Sequence, residues 1–306
     1  RCACCPGAMM LAIWPLIAQQ RSFWRAGGAK MAAAMAFQWS LAALETLMAE
    51  DQMDQHAAVL RAFSVVELWR LRRVCRAFHR WGTAALAALP RVVAVGGGDV
   101  HGEATVGVEV LDLSTLRWSS GVVPALPEPR EDHCACAFGD GRVVVAGGDE
   151  PKSTLQWIPG AAGWAPLPDL AEGRAGAAAV ALPDGRAMVI GGYRAGGQYL
   201  ASVEVLAADG SGWSALAPMG TGRDGPAAAV LPCGKVLVAG GENYNYQELK
   251  TAELWDPATG AWSDLPPMAQ KRANAGCCVL PSGRVAAVGS IHGPGQELLA
   301  SGEAFD

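Results

Sequence analysis

Side chains able to do chemistry are present in this chain of 306 residues, but few stand at the spacings chemistry needs. The five histidines, His56, His79, His101, His133 and His292, are scattered, and no two have metal-ligand spacing. No serine or cysteine sits in a nucleophile motif beside a base. Nine cysteines, an odd number, argue against a disulfide framework or a zinc site. They fit reduced, mostly buried thiols in the cytoplasm or nucleus. The expectation is a protein that is no enzyme, with no catalytic residue, no metal and no cofactor.

The chemistry that does concentrate is that of recognition. All four tyrosines fall in two segments, Tyr193-Arg194-Ala-Gly-Gly-Gln-Tyr199 and Glu242-Asn243-Tyr244-Asn-Tyr246-Gln. A tyrosine offers a rigid ring with a polar tip, which suits contact with a protein. Tyr193, Arg194, Tyr199, Asn243, Tyr244 and Tyr246 are the candidate partner-binding residues. The competing reading has these tyrosines packing on their own strands. A net charge of −5 gives no reason to expect nucleic acid or an anionic membrane as partner.

The elements that hold those loops repeat. Four runs match end to end: Asp140-Gly-Arg-Val-Val-Val-Ala-Gly147-Gly148, Asp184-Gly-Arg-Ala-Met-Val-Ile-Gly191-Gly192, Cys233-Gly-Lys-Val-Leu-Val-Ala-Gly240-Gly241 and Ser282-Gly-Arg-Val-Ala-Ala-Val-Gly289-Ser290. A fifth, partial copy places its glycine pair at Gly97-Gly98. The dipeptide ending in Gly supplies the positive φ of a tight hairpin. The apolar run reads as a strand buried on both faces, and the glycine pair as a place where chains crowd. A second strand with a central Glu follows (Glu109, Glu204, Glu253, Glu303), then Trp118, Trp164, Trp213 or Trp262, then Arg130, Arg174, Arg223 or Arg272. Each unit therefore has four strands and two greasy faces, and units arranged radially bury one face on the next. The recurring arginines have two readings, an anion-reading surface or an internal brace. Recurrence in every unit favours the brace.

Glycine pairs, Glu, Trp and Arg at this joint spacing resemble the kelch repeat over residues 91–306. The resemblance implies a mainly β fold, a kelch-type β-propeller of about four to five blades that binds partners through loops at one end. Departures are Ser290 for a second Gly, Gln156 for Glu, and Val or Ala where an aromatic often precedes the glycine pair. Three units are complete and two partial, which reads as a truncated propeller in preference to a closed five-bladed ring. Some kelch propellers are copper oxidases with a Tyr–Cys cofactor. Cys233 and Tyr244 are present here, but no matching ligand set can be assigned.

Residues 37–90 differ: apolar positions Leu68, Leu71, Val74, Cys75 and Phe78 form a helical stripe opposite Arg70, Arg72, Arg73, Arg76 and Arg80. Ser64 and Glu67 make a capping box. This stretch resembles the second half of an F-box. That resemblance implies docking of a Skp-type adaptor of a cullin ubiquitin ligase through Leu60, Phe63, Leu68, Leu71, Val74 and Phe78, with the propeller holding a substrate protein. The alternatives are a helical cap on a non-ligase kelch scaffold, for a cytoskeletal or signalling partner, and a membrane-surface helix. Residues 1–36 are expected to be a disordered or gene-model extension, with Met31 and Met35 as candidate starts and a signal or transit peptide as the alternative.

Overall fold

A computed structural model of the chain describes residues 92–305, apart from 100, 113–116, 149–151, 195, 281–282, 293–296 and 299–300. The extension 1–36 and the F-box-like segment 37–90, with Leu60, Phe63, Leu68, Leu71, Val74 and Phe78, lie outside the described residues.

Each apolar run of the repeat is a strand, and it anchors an antiparallel sheet. The first sheet is β1 (Val92–Val95), β2 (Val108–Asp112) and β3 (Arg117–Ser120). The second is β4 (Cys134–Ala137), β5 (Val143–Ala146), β6 (Thr154–Trp157) and β7 (Ala165–Leu167). The third begins with β8 (Ala178–Ala181) and β9 (Ala187–Ile190). It is interrupted by a ribbon of β10 (Tyr193–Arg194) and β11 (Gln198–Tyr199), and ends with β12 (Val203–Leu206) and β13 (Trp213–Leu216). The fourth is β14 (Ala227–Val230), β15 (Val236–Ala239), β16 (Ala252–Asp256) and β17 (Ala261–Leu265). The fifth is β18 (Gly276–Val279), β19 (Val285–Val288) and, after a ribbon of β20 (Ile291–His292) and β21 (Glu297–Leu298), β22 (Gly302–Phe305). These are the blades of a five-blade β-propeller, and no helix occurs among the described residues. The inner strands β4, β8, β14 and β18 lie side by side in that order.

Burial follows from the stacking. β5, β9 and β15 are buried along their whole length, as a strand sandwiched between two neighbours must be. Each junction has its own apolar cluster. Val108, Val143 and Val145 join blades one and two, and Cys134, Ala146 and Val189 join two and three. Ile190, Val203, Val238 and Trp255 join three and four, and Leu237, Met268 and Val285 join four and five. The recurring tryptophans work between blades. The indole N–H of Trp164 donates to Pro124 O (2.8 Å), that of Trp213 to Pro168 O (2.9 Å) and that of Trp262 to Ala217 O (2.8 Å), each in the loop leaving the preceding blade. Trp118, in the first blade, is 51% exposed.

The recurring arginines are internal braces. Arg223 is fully buried and uses all five N–H donors. Nη1 donates to Gly240 O (2.8 Å) and Thr251 O (3.0 Å), Nη2 to Thr251 Oγ1 and Glu253 Oε1 (both 2.9 Å), and Nε to Glu253 Oε1 (3.2 Å). Arg174 reaches Gly191, Ser202 and Glu204 through its Nη atoms, and Arg272 reaches Gly289, Ser301 and Glu303. Where Gln156 replaces the Glu, Arg130 keeps its bonds to Gly147 O and Ser153, and its Nε, like that of Arg174, is buried without a partner. Burial pulls the Arg130 pKa below its usual range, against the pull of Glu128.

The glycine pair is where one blade meets the next. The second N–H of each pair donates to the carbonyl of the following arginine: Gly148 to Arg174 O (3.1 Å), Gly192 to Arg223 O and Gly241 to Arg272 O (both 2.7 Å). In the first blade the donor to Arg130 O is Gly97 (2.8 Å), so the pair there is Gly96-Gly97, one residue before the assignment made from sequence. At Gly240, φ is +69° and a Cβ would collide with Arg272 O. Ser290 is compatible with its place because its hydroxyl is used. Oγ accepts from Ala273 N–H (2.8 Å) and donates to Ala273 O (3.0 Å), where Ala175–Tyr193 and Asp224–Glu242 pair backbone to backbone.

Candidate partner-binding face

The loops after the glycine pairs all leave the same end of the blades, the end at which the second strand finishes. β10 and β11 make a ribbon turned at Gly196 and Gly197, both at positive φ, and set Tyr193 directly opposite Tyr199. Their rings meet edge to face with centroids 5.7 Å apart. Tyr246 comes across from the fourth blade and meets Tyr199 edge to face at 6.0 Å. Tyr244 and Tyr246 are 72% and 77% exposed.

Asn243 organises the loop that carries them. Its Oδ1 accepts from the backbone N–H of Asn245 (3.0 Å) and Gln247 (3.2 Å), an Asx turn, and Tyr246 takes φ +56°. Arg194 is turned toward Glu172, with Nη1 3.5 Å from Oε1. The structure thus clusters Tyr193, Tyr199 and Tyr246, leaves Tyr244 exposed on the loop that carries Tyr246, and gives Asn243 and Arg194 partners of their own.

Glu242, Asp224 and Asp132 come together at this end, and the repeat pattern did not single them out. Glu242 and Asp224 bridge through their backbones, with N···O of 2.7 and 2.9 Å. The Tyr199 hydroxyl donates to Glu242 Oε1 at 2.9 Å. Burial first, then the bond to Glu242, raises the Tyr199 pKa. The Asp224 carboxylate lies over Gly176, which stands at φ +59° and has no Cβ to collide with it. Its pKa is raised to about 6, by burial first, then by Glu242, with the Gly225 N–H opposing and Asp132 adding. Backbone bonds tie this end across blades, from Gly176 N to Asp132 O (2.7 Å), Gly225 N to Gly176 O and Asn274 N to Gly225 O (both 2.8 Å). The signal in the sequence was the residue after the arginine, acidic at Glu131 and Asp224 and alanine at Ala175 and Ala273.

Cys233 is exposed at the turn before β15 and Tyr244 lies beyond the other end of that strand, so the two are not brought together. Burial pushes the Cys134 and Cys136 thiols up to about 12. Among the described residues no cluster of His, Cys, Asp or Glu is placed to hold a metal ion.

Residues 225–269, the whole of the fourth blade, match the family model described as Kelch motif. The described residues form a five-blade β-propeller whose fourth blade carries the Kelch motif. The solved structure of YjhT is similar to this propeller with a TM-score of 0.58 and 18% sequence identity, over 69% of this chain and 77% of that one, a likeness of fold. No curated protein matches the sequence. The kelch propeller is in general a protein-interaction module, and its loop end is where this one differs from blade to blade.

Proposed function

We propose that this protein captures a protein partner on the loop end of its kelch propeller. One observation carries the reading. All four tyrosines of the chain gather at that end, and two of them are more than 70% exposed. Large aromatic rings left in water on a built loop are an interaction surface in waiting.

Within that reading, the chain is the substrate-recognition subunit of a cullin-type ubiquitin ligase in the cytoplasm or nucleus, with any transfer chemistry done by partner proteins. The support is the F-box-like sequence through Leu60, Phe63, Leu68, Leu71, Val74 and Phe78. Co-purification tests both levels. Tyr193→Ala with Tyr244→Ala is expected to strip partners from the protein without lowering its melting temperature. Leu68→Asp is expected to strip a Skp-type adaptor and leave those partners. Wild type that retains no such adaptor would remove the ligase reading and leave the non-ligase scaffold. Loss of folding in the double variant would return the tyrosines to a packing role.

A further inference from the structure

We propose that the tyrosine face recognises a Lys- or Arg-bearing segment of the partner, seating a cationic side chain against the rings of Tyr199 and Tyr246 and beside Glu242 and Asp224. The inference rests on the reading of this end as the partner-binding face and names the chemistry that face selects.

The aromatic surface alone would accept any apolar group. The carboxylates beside it narrow the choice. Glu242 sits under Tyr199, with the hydroxyl bond at 2.9 Å fixing the two together. Asp224 pairs with Glu242 along the backbone, and Asp132 lies close enough to act on it. The charged groups that act on Asp224 are Glu242 and Asp132, both anionic. The arginines nearest in sequence are committed elsewhere. Arg223 and Arg174 are spent inside their blades, and Arg194 is turned to Glu172. The face therefore presents unmatched negative charge against π-faces, and a cation gains from both at once. A guanidinium suits it better than an ammonium, because its plane stacks on a ring while its edge meets a carboxylate. An anionic partner, nucleic acid included, meets repulsion here.

Titration supports the same choice. With its pKa near 6, Asp224 carries its charge fully at pH 7.5 and largely loses it at pH 5.5. Capture of a cation is expected to weaken over that interval. The groups facing Asp224 are Glu242, itself bonded to Tyr199, and Asp132.

The test is fluorescence anisotropy on the full chain with three labelled peptides of equal length, alternating Ser-Arg, Ser-Gln and Ser-Glu. The Arg peptide is expected to bind at least tenfold more tightly than the Gln peptide, and the Glu peptide not at all. Tyr246→Ala and Glu242→Gln are each expected to weaken the Arg peptide about tenfold. Asp140→Asn with Asp209→Asn removes two carboxylates from the hairpin turns at the other end of the blades and is expected to change nothing. Equal weakening by that control, or equal binding of Arg and Gln peptides, would overturn the proposal. If the Arg peptide fails while Tyr193→Ala with Tyr244→Ala still strips natural partners, the face captures proteins of another chemistry, and the broader reading stands without this one. If both fail, both readings fall.

Discussion

At the scale of single residues, the recurring arginine shows how one buried charge is made tolerable. Arg223 is enclosed with a carboxylate that is almost as buried, and every guanidinium N–H has an acceptor. Removing one partner of such a pair strands the other, and costs about 3–5 kcal/mol. Arg223→Met is expected to fall in that range, because it leaves Glu253 buried with only the Gly220 N–H (2.7 Å) to hold it. Arg130→Met is expected to cost clearly less. The second blade has Gln156 in the Glu position, so no buried carboxylate is left behind, only carbonyls and a hydroxyl. The sequence supplies a reason for the exchange. Glu204, Glu253 and Glu303 each accept from the residue three before the arginine, and in the second blade that residue is Pro127, which has no N–H. Urea unfolding of the two variants beside wild type measures the contrast. Equal losses would mean that the carbonyl contacts, and not the carboxylate, dominate the brace.

At the scale of elements, the glycine pair is the joint between blades, and its cost splits into two parts. Gly240 and Gly260 share φ +69°, so alanine at either pays the same backbone strain, about 1–2 kcal/mol. A Cβ at Gly260 meets open space, while one at Gly240 meets Arg272 O. Gly240→Ala is therefore expected to lower the melting temperature well beyond Gly260→Ala, and the difference isolates the junction. Much of this level was legible in the sequence, because each strand, turn and brace is set by residues that recur. Gly141, Gly185, Gly234 and Gly283 all take the positive φ that the hairpins required. The triple glycine at 96–98 hid the true pair by one residue, since composition alone does not say which N–H finds Arg130 O. The tyrosine loops were legible as a concentration of one residue type. The carboxylates beneath them were not, because Asp132 joins Asp224 and Glu242 only when separate blades are stacked. The residues from Leu60 to Phe78 that the F-box resemblance singles out lie outside the described residues.

At the scale of the whole molecule, stability and recognition meet at the loop end of the blades. Each blade shares an apolar cluster with its neighbour, and a tryptophan clasp at the first three junctions, so stability adds up junction by junction. The loop end adds its own backbone bonds between blades, and it also carries a group that works against stability. Asp224 holds its proton more tightly in the folded chain than in the unfolded one, since its pKa rises from 3.8 to about 6. The ionised carboxylate therefore destabilises the fold above about pH 6, and the penalty disappears as pH falls toward 4. Asp224→Asn keeps the shape and removes the charge. Its melting temperature is expected to exceed that of wild type at pH 7.5, with the gain shrinking to nothing by about pH 4. The same variant is expected to lose affinity for the Arg peptide at pH 7.5. Stability gained where binding is lost is the mark of a functional site, where a charge is kept at a cost to the fold. Thermal melts of both proteins across that pH range decide the matter. A variant less stable than wild type at pH 7.5 would make the ionised Asp224 a structural group, tied to Gly225 N–H, and would take it off the binding face.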